Sequence, residues 1–315
     1  MSQTLQSFLW LIFDTICPIA LGYVLHARGL VTRDQTQKLI TFNVRVVYTL
    51  LAFLAFWRLR LTAEILWIVP VSLLLTFVPY GIGMAMSRSF SDPAERGAFV
   101  MSAMLGNTGT LGGLVAFLIM GTAGYAYVQI PSVLQNVLLV LFCFPVCQKF
   151  RDQAQGGAAG APARSLRERL VTWNQVSVLG IAVGGALSAC GLTQPDALRP
   201  LFAGFIHCSC WINFLPVGLL IDFAAARHCM RRVAGIIPIK FVILPALVWG
   251  LCEMIFQDQT ITKTMVILAA TPTAISAVIT AALFDLKKDV AIASFIGTSV
   301  LFCLIVGPAL FLLLS

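Results

Sequence analysis

Residues 98–121 read AFVMSAMLGNTGTLGGLVAFLIMG. The stretch is apolar and long enough to cross a bilayer, which takes about 20 such residues. Yet its middle holds Gly106, Asn107, Thr108, Gly109, Thr110, Gly112 and Gly113. Glycine weakens a helix and lets another backbone come close. A carboxamide at mid-membrane needs a polar partner or a cavity. The plainer reading is a tight helix contact, and Gly109 with Gly113 has the GxxxG spacing that serves one.

A second stretch, residues 264–285, reads TMVILAATPTAISAVITAALFD. Pro272 stands at its centre between Thr271 and Thr273, with Ser276 one turn on. Proline removes a backbone donor and clashes with the preceding turn, so the helix kinks or breaks there. A simple kink with threonines bonding the freed carbonyls is the alternative. The pair says more than either member, because Asn107 and Pro272 fall at corresponding places of two similar halves.

Outward from these stretches, ten segments read as spanning helices. They run Leu5–Leu25, Leu39–Trp57, Ile65–Met86, Ala98–Met120 and Tyr125–Cys147, then Val171–Cys190, Leu201–Ile221, Val233–Phe256, Ile261–Phe284 and Val290–Leu314. The expected fold class is an all-α polytopic membrane protein. Segment starts in the two sets are offset by about 165 residues throughout. Five spans per half turn the second half over in the membrane, which predicts two inverted repeats, a common plan of secondary transporters. The expected divisions are 1–148, the first five-helix repeat; 149–169, a cytoplasmic linker containing QGGAAGAPA; and 170–315, the second repeat.

Composition agrees. The 315 residues are 59% hydrophobic and 11% charged, against about 25% charged in soluble domains. The net charge of +8 does not point to nucleic acid, because the basic residues sit in short gaps between apolar runs. Fifteen of the 21 Lys and Arg lie in one set of loops and four, Arg58, Arg60, Arg199 and Lys263, in the other. Positive loops face the cytoplasm, so both termini are expected outside it, in a multi-pass protein of the cell membrane. The nine cysteines lie mostly within apolar runs, with no CxxC pair and no clustered histidine. Neither a metal site nor a cofactor is expected.

Three charged residues fall inside spans, where ionisable groups are functional suspects. Asp14 is a candidate proton or cation site, or a solvated residue near the membrane surface. Arg45 can reach the cytoplasmic face. Lys240 can attract an anion, hold the ninth helix through its freed carbonyls, or snorkel. His207 reads as a packed histidine rather than a proton relay, and Trp211 as one of several interfacial anchors.

The chain resembles the auxin efflux carrier family, whose bacterial members include malonate permeases. GNTGTLGG, Gly106–Gly113, is similar to the family's Gly-Asn-x-Gly segment, and TPTAIS, Thr271–Ser276, to its Pro-Thr-Ala segment. KFVILPALVWGL from Lys240 and NFLPVGLLID from Asn213 resemble its eighth and seventh helices. The family's crossover proline is Leu114 here, its second-helix proline Thr49, and its ninth-helix asparagine Ser276.

The resemblance implies that the fourth and ninth helices cross at the substrate site. It also implies a scaffold of helices one, two, six and seven, a mobile unit from the rest, and often a homodimer. Gly106, Asn107, Thr108, Gly109, Gln135, Thr271, Pro272, Thr273 and Ser276 are then the expected substrate-binding set. Asn107 would touch substrate, and Gln135 resembles a glutamine that supports the site in plant members. The expected partners are a small anion and the lipid bilayer.

The expected function is a carrier for a mono- or dicarboxylate. An ion-coupled transporter of another solute and a channel or sensor are the alternatives. No HExxH, GxSxG or paired intramembrane aspartates suggest an enzyme.

Overall fold

The computed structural model describes residues 3–155, 176–220 and 223–314. The chain is all-helical there. α1 (Gln3–Ala27) is continuous, and the second span is α2 (Arg33–Phe42) joined through a π turn, Asn43–Val47, to α3 (Tyr48–Arg58). α4 (Ile65–Met86) precedes α5 (Pro93–Met104), where the fourth span stops. A π turn at Thr108–Gly112 restarts it as α6 (Gly113–Leu138), and another at Leu139–Cys143 leads to α7 (Phe144–Ala154). Then come α8 (Ser177–Ala189), α9 (Arg199–Leu220) and α10 (Phe223–Val233). A helical turn, Ile236–Pro238, and a π turn, Ile239–Ile243, lead into α11 (Leu244–Ile255). The chain ends with α12 (Gln259–Ala269), α13 (Ile275–Leu283), α14 (Lys288–Leu301), a π turn at Phe302–Val306 and α15 (Gly307–Leu314).

Among the described residues, six helical stretches are long and apolar enough to cross a membrane: Leu5–Ala27, Ile65–Ser89, Thr108–Ala154, Asp196–Gly218, Ile236–Ile255 and Lys288–Leu314. The remaining expected spans are placed as follows. The second is helical from Arg33 to Arg58 through its π turn but is not among the six. The fourth and ninth are broken into shorter helices. The sixth survives as the short apolar α8, and its expected start at Val171 lies outside the described residues. The 47-residue stretch Thr108–Ala154 is not one rod. Gly121 sits at φ 66°, ψ −150° and turns the chain between the fourth and fifth spans, a conformation that only glycine adopts cheaply. Residues 149–154 of the expected linker continue α7 as helix, and 156–169 lie outside the described residues.

Aspartates start both broken spans. Asp92 accepts from the Ala94 amide at 2.8 Å, and Asp258 accepts from the Thr260 amide at 2.8 Å. Each satisfies a helix-start donor that has no partner within the helix.

One packed set contains α1, α2–α3, α8 and α9, with α1 lying along α9 and α3 along α8. Glycines make these contacts close. A Cβ at Gly218 would collide with the Ile19 carbonyl, and a Cβ at Gly184 with that of Phe53. Gly22 and Gly180 stand likewise against Leu215 and Thr49. In lipid such backbone approach supplies the packing that apolar burial does not. The other helices pack around the two breaks. At the end bearing the basic loops they are tied by Arg232–Glu95 at 2.6 Å and by Lys287–Asp92 and Arg151–Asp285 at 3.9 Å.

Candidate functional site

The two breaks meet. Leu105, after α5, is extended at φ −87°, ψ 108°, and Ala274, before α13, is extended at φ −78°, ψ 152°. Between them Gly106 and Thr273 form an antiparallel bridge. The Asn107 amide donates to the Pro272 carbonyl at 2.8 Å, and the Ala274 amide donates to the Leu105 carbonyl at 2.9 Å. Proline's missing amide does not matter here, because Pro272 contributes only its carbonyl.

An unsatisfied backbone group inside a bilayer costs several kcal/mol, so each freed group at the crossing needs an account. Gln135 on α6 donates to the Gly106 carbonyl at 2.9 Å, and Thr108 donates to Gln135 Oε1 at 3.3 Å. Thr298 on α14 accepts from the Thr273 amide at 3.0 Å. Thr273 donates to the Ser102 carbonyl at 2.9 Å, and Thr271 to that of Leu268 at 2.7 Å. The Lys240 amine, fully buried on its π turn, donates to the Leu105 carbonyl at 3.3 Å. Lys240 therefore does not snorkel. It ties down a carbonyl of the fourth span rather than of the ninth, because the extended residue it reaches is Leu105.

The expected binding residues thus divide. Thr108, Gln135, Thr271 and Thr273 are committed to holding the crossing together. Gly106 and Gly112 serve close approach: a Cβ at Gly106 would lie 2.7 Å from Thr271 Oγ1, and one at Gly112 2.6 Å from Leu268 Cδ2. Asn107 is different. It is 8% exposed, and its carboxamide bonds nothing among the described residues. Ser276, partly exposed, lies in the first turn of α13. Half-helices begin at Thr108 and Ile275, and first-turn amides have no partner within their helix.

Ser132 was not singled out in the sequence. Its buried hydroxyl has no partner among the described residues, and it would lie 3.6 Å from a Cβ at Gly109. Its spacing of three from Gln135 puts both on one helical face, which is the signal that could have found it. Thr110 meets the Tyr48 hydroxyl at 3.0 Å, and that hydroxyl also accepts from Asn213 at 2.6 Å.

A family of proteins described as membrane transport protein matches residues 8–171, just over half of the chain, across the first five spans. The chain belongs to this auxin efflux carrier family. No curated protein sequence matches it. In this family member the matched region contains Asn107 and Gln135, whereas Pro272 lies beyond it.

Asp14 and Lys240, the two candidate charges, are far apart in role. Asp14 is not solvated near the membrane surface. It is fully buried between α1 and α9, where Trp211 donates to Oδ1 at 3.1 Å and His207 Nδ1 lies 2.5 Å from Oδ2. Trp211 is therefore a carboxylate ligand as well as an aromatic. The α9 sequence puts His207 and Trp211 four residues apart, on one face.

A cavity of about 580 Å³ lies away from the crossing. Arg58, Arg60 and Arg199 line it, together with Phe117, Gly121 and Tyr127. It opens at the end of the bundle opposite the basic loops. There Tyr127 donates to Asp258 at 3.0 Å, and the Asp258 amide donates to Glu64 at 3.3 Å.

Proposed function

We propose that this membrane transporter is a secondary carrier of a small organic anion, a mono- or dicarboxylate, working by alternating access. One observation carries the reading. Asn107, nearly buried at the crossing of two broken spans, keeps an unpaired carboxamide beside two half-helix amino ends. Those ends supply free amides and positive dipole, which suit an anion. The carboxamide supplies a directional donor. The basic cavity supports the same sign of charge, since clustered cations raise the local concentration of an anion.

The moving parts follow from an inverted repeat, which three relationships support. Asn107 and Pro272, bonded to each other, are 165 residues apart, as are Tyr48 and Asn213. Equivalent residues that touch must lie on the axis relating the halves. The Ile19–Gly218 approach also recurs, shifted by the same interval in both members, as Gly184–Phe53. In this reading α1, α2–α3, α8 and α9 are the frame and the remaining helices slide against it, elevator-like. The resemblance also suggests a homodimer, with frames as the fixed centre. The basic loops are cytoplasmic.

Thermal-shift measurements with mono- and dicarboxylates, followed by uptake into proteoliposomes, test the proposal. Saturable uptake of a stabilising carboxylate is expected. Stabilisation by neutral or cationic solutes only, or non-saturable flux, would overturn it.

A further inference from the structure

The mechanism proposed above makes no use of Asp14 or His207. The carboxylate is fully buried, while the His207 side chain is 24% exposed. Trp10 packs on the imidazole with ring centroids 4.6 Å apart, and Phe117 stands edge-on to it at 6.3 Å. Phe117 also lines the arginine-bearing cavity. Phe117 thus stands between that cavity and the imidazole, which is in turn bonded to the carboxylate.

We infer that Asp14 and His207 form a proton-binding pair, loaded from this cavity and linked to the position of the α6 segment. With neutral imidazole the pair carries one net negative charge, held in a membrane span where unpaired charge is costly. A proton from cavity water adds to Nε2 of His207, while Nδ1–H remains donated to Asp14. The product is an imidazolium–carboxylate pair with no net charge. Histidine is the side chain suited to such a switch near neutral pH.

The other ionisable groups nearby are few. α1 itself adds Cys17, with Tyr23 and His26 towards its far end, and α9 adds Cys208 and the buried Cys210. α15 carries none. α6 brings Tyr125 and Tyr127, the latter engaged with Asp258. The second span brings Tyr48, bonded to Asn213 and Thr110, with Arg45 lower and Arg58 at the cavity. α2 adds Lys38 near its end of the bundle, and the turn before α9 adds Asp196, paired with Arg199 at 2.9 Å. Among the described residues, His207 is the only ion-pair partner of Asp14.

Phe117 belongs to the helices proposed to move, and His207 to the frame. Withdrawal of Phe117 changes what surrounds the imidazole, so proton occupancy and carrier position bias one another, and the bias is reciprocal. This linkage rests on the proposed division into frame and moving unit. The proton site does not, and its test needs no substrate.

Two of the six tryptophans report on the pair directly, Trp10 by stacking and Trp211 by its bond to Asp14. An imidazolium against an indole quenches its fluorescence. Emission of the purified full-length protein, followed downward from about pH 9 to about pH 4, should fall in a one-proton step as the imidazolium forms. The step should shrink in Trp10→Phe and vanish in His207→Gln, which keeps a polar group in place. Asp14→Asn should move its midpoint by about tenfold or more in proton affinity, and Phe117→Ala by about threefold. A flat wild-type trace, or a step that survives His207→Gln, overturns the site. A midpoint indifferent to Phe117→Ala overturns the linkage.

Discussion

Asn213 donates a 2.6 Å hydrogen bond to the Tyr48 hydroxyl across 165 residues of sequence. The same hydroxyl meets Thr110, three residues from Asn107 on the other side of the bundle's internal boundary. Tyr48 thus connects the helices built around close glycine contacts to those built around the breaks. Any motion of one set against the other has to exchange this bond.

Asn107→Ala should leave the protein folded and inserted, because the lost carboxamide has no partner to strand and the backbone at φ −78° is open to alanine. Ligand-induced stabilisation and transport should fall together by about tenfold or more, since a hydrogen bond to a charged group is worth about 1.5–3 kcal/mol. A normal transporter would remove Asn107 from the site. Heat lability without ligand would make it structural.

Gln135→Leu should behave in the opposite way. It strands the Gly106 carbonyl and the Thr108 hydroxyl. Unfolding stability should drop by about 1–3 kcal/mol with no ligand present. An unchanged melting temperature would show that other groups satisfy the crossing.

Gly184→Ala and Gly218→Ala should each destabilise by about 1–3 kcal/mol through overpacking against the Phe53 and Ile19 carbonyls. Gly204→Ala, on the same helix as Gly218 with nothing within 4 Å of the added Cβ, should be neutral or slightly stabilising. Similar melting temperatures for Gly184→Ala and Gly218→Ala support the repeat. A large difference between them argues against it.

The cavity arginines should affect capture rather than turnover. Arg58→Gln combined with Arg60→Gln should raise the apparent KM for an anionic substrate by about threefold to tenfold and leave kcat unchanged. Because these charges are exposed, added salt should shrink the difference. Arg199, already paired with Asp196, should matter less. An unchanged KM at low salt would exclude the cavity as the access route.

A C-terminal reporter that is active only in the cytoplasm should stay silent, given the distribution of fifteen against four Lys and Arg between the loop sets. Strong signal would reverse the orientation and place the arginine cavity on the inside.

The sequence by itself determined the solvent and the breaks. An apolar run of about 20 residues has few stable alternatives to a membrane helix, and a glycine cluster or proline at its middle interrupts it wherever it packs. Asn107 and Pro272 were legible for that reason. Asp14 and Lys240 were legible only as misplaced charges.

Tertiary structure alone decided what those groups touch. The partners of Asp14 lie nearly 200 residues away on α9, and Lys240 reaches a carbonyl 135 residues earlier. Which threonines bond backbone and which carboxamide is left over depends on the angle and depth at which two broken helices cross. Local periodicity carries no record of that geometry, because hydrogen-bond partners so far apart in the chain are chosen by packing.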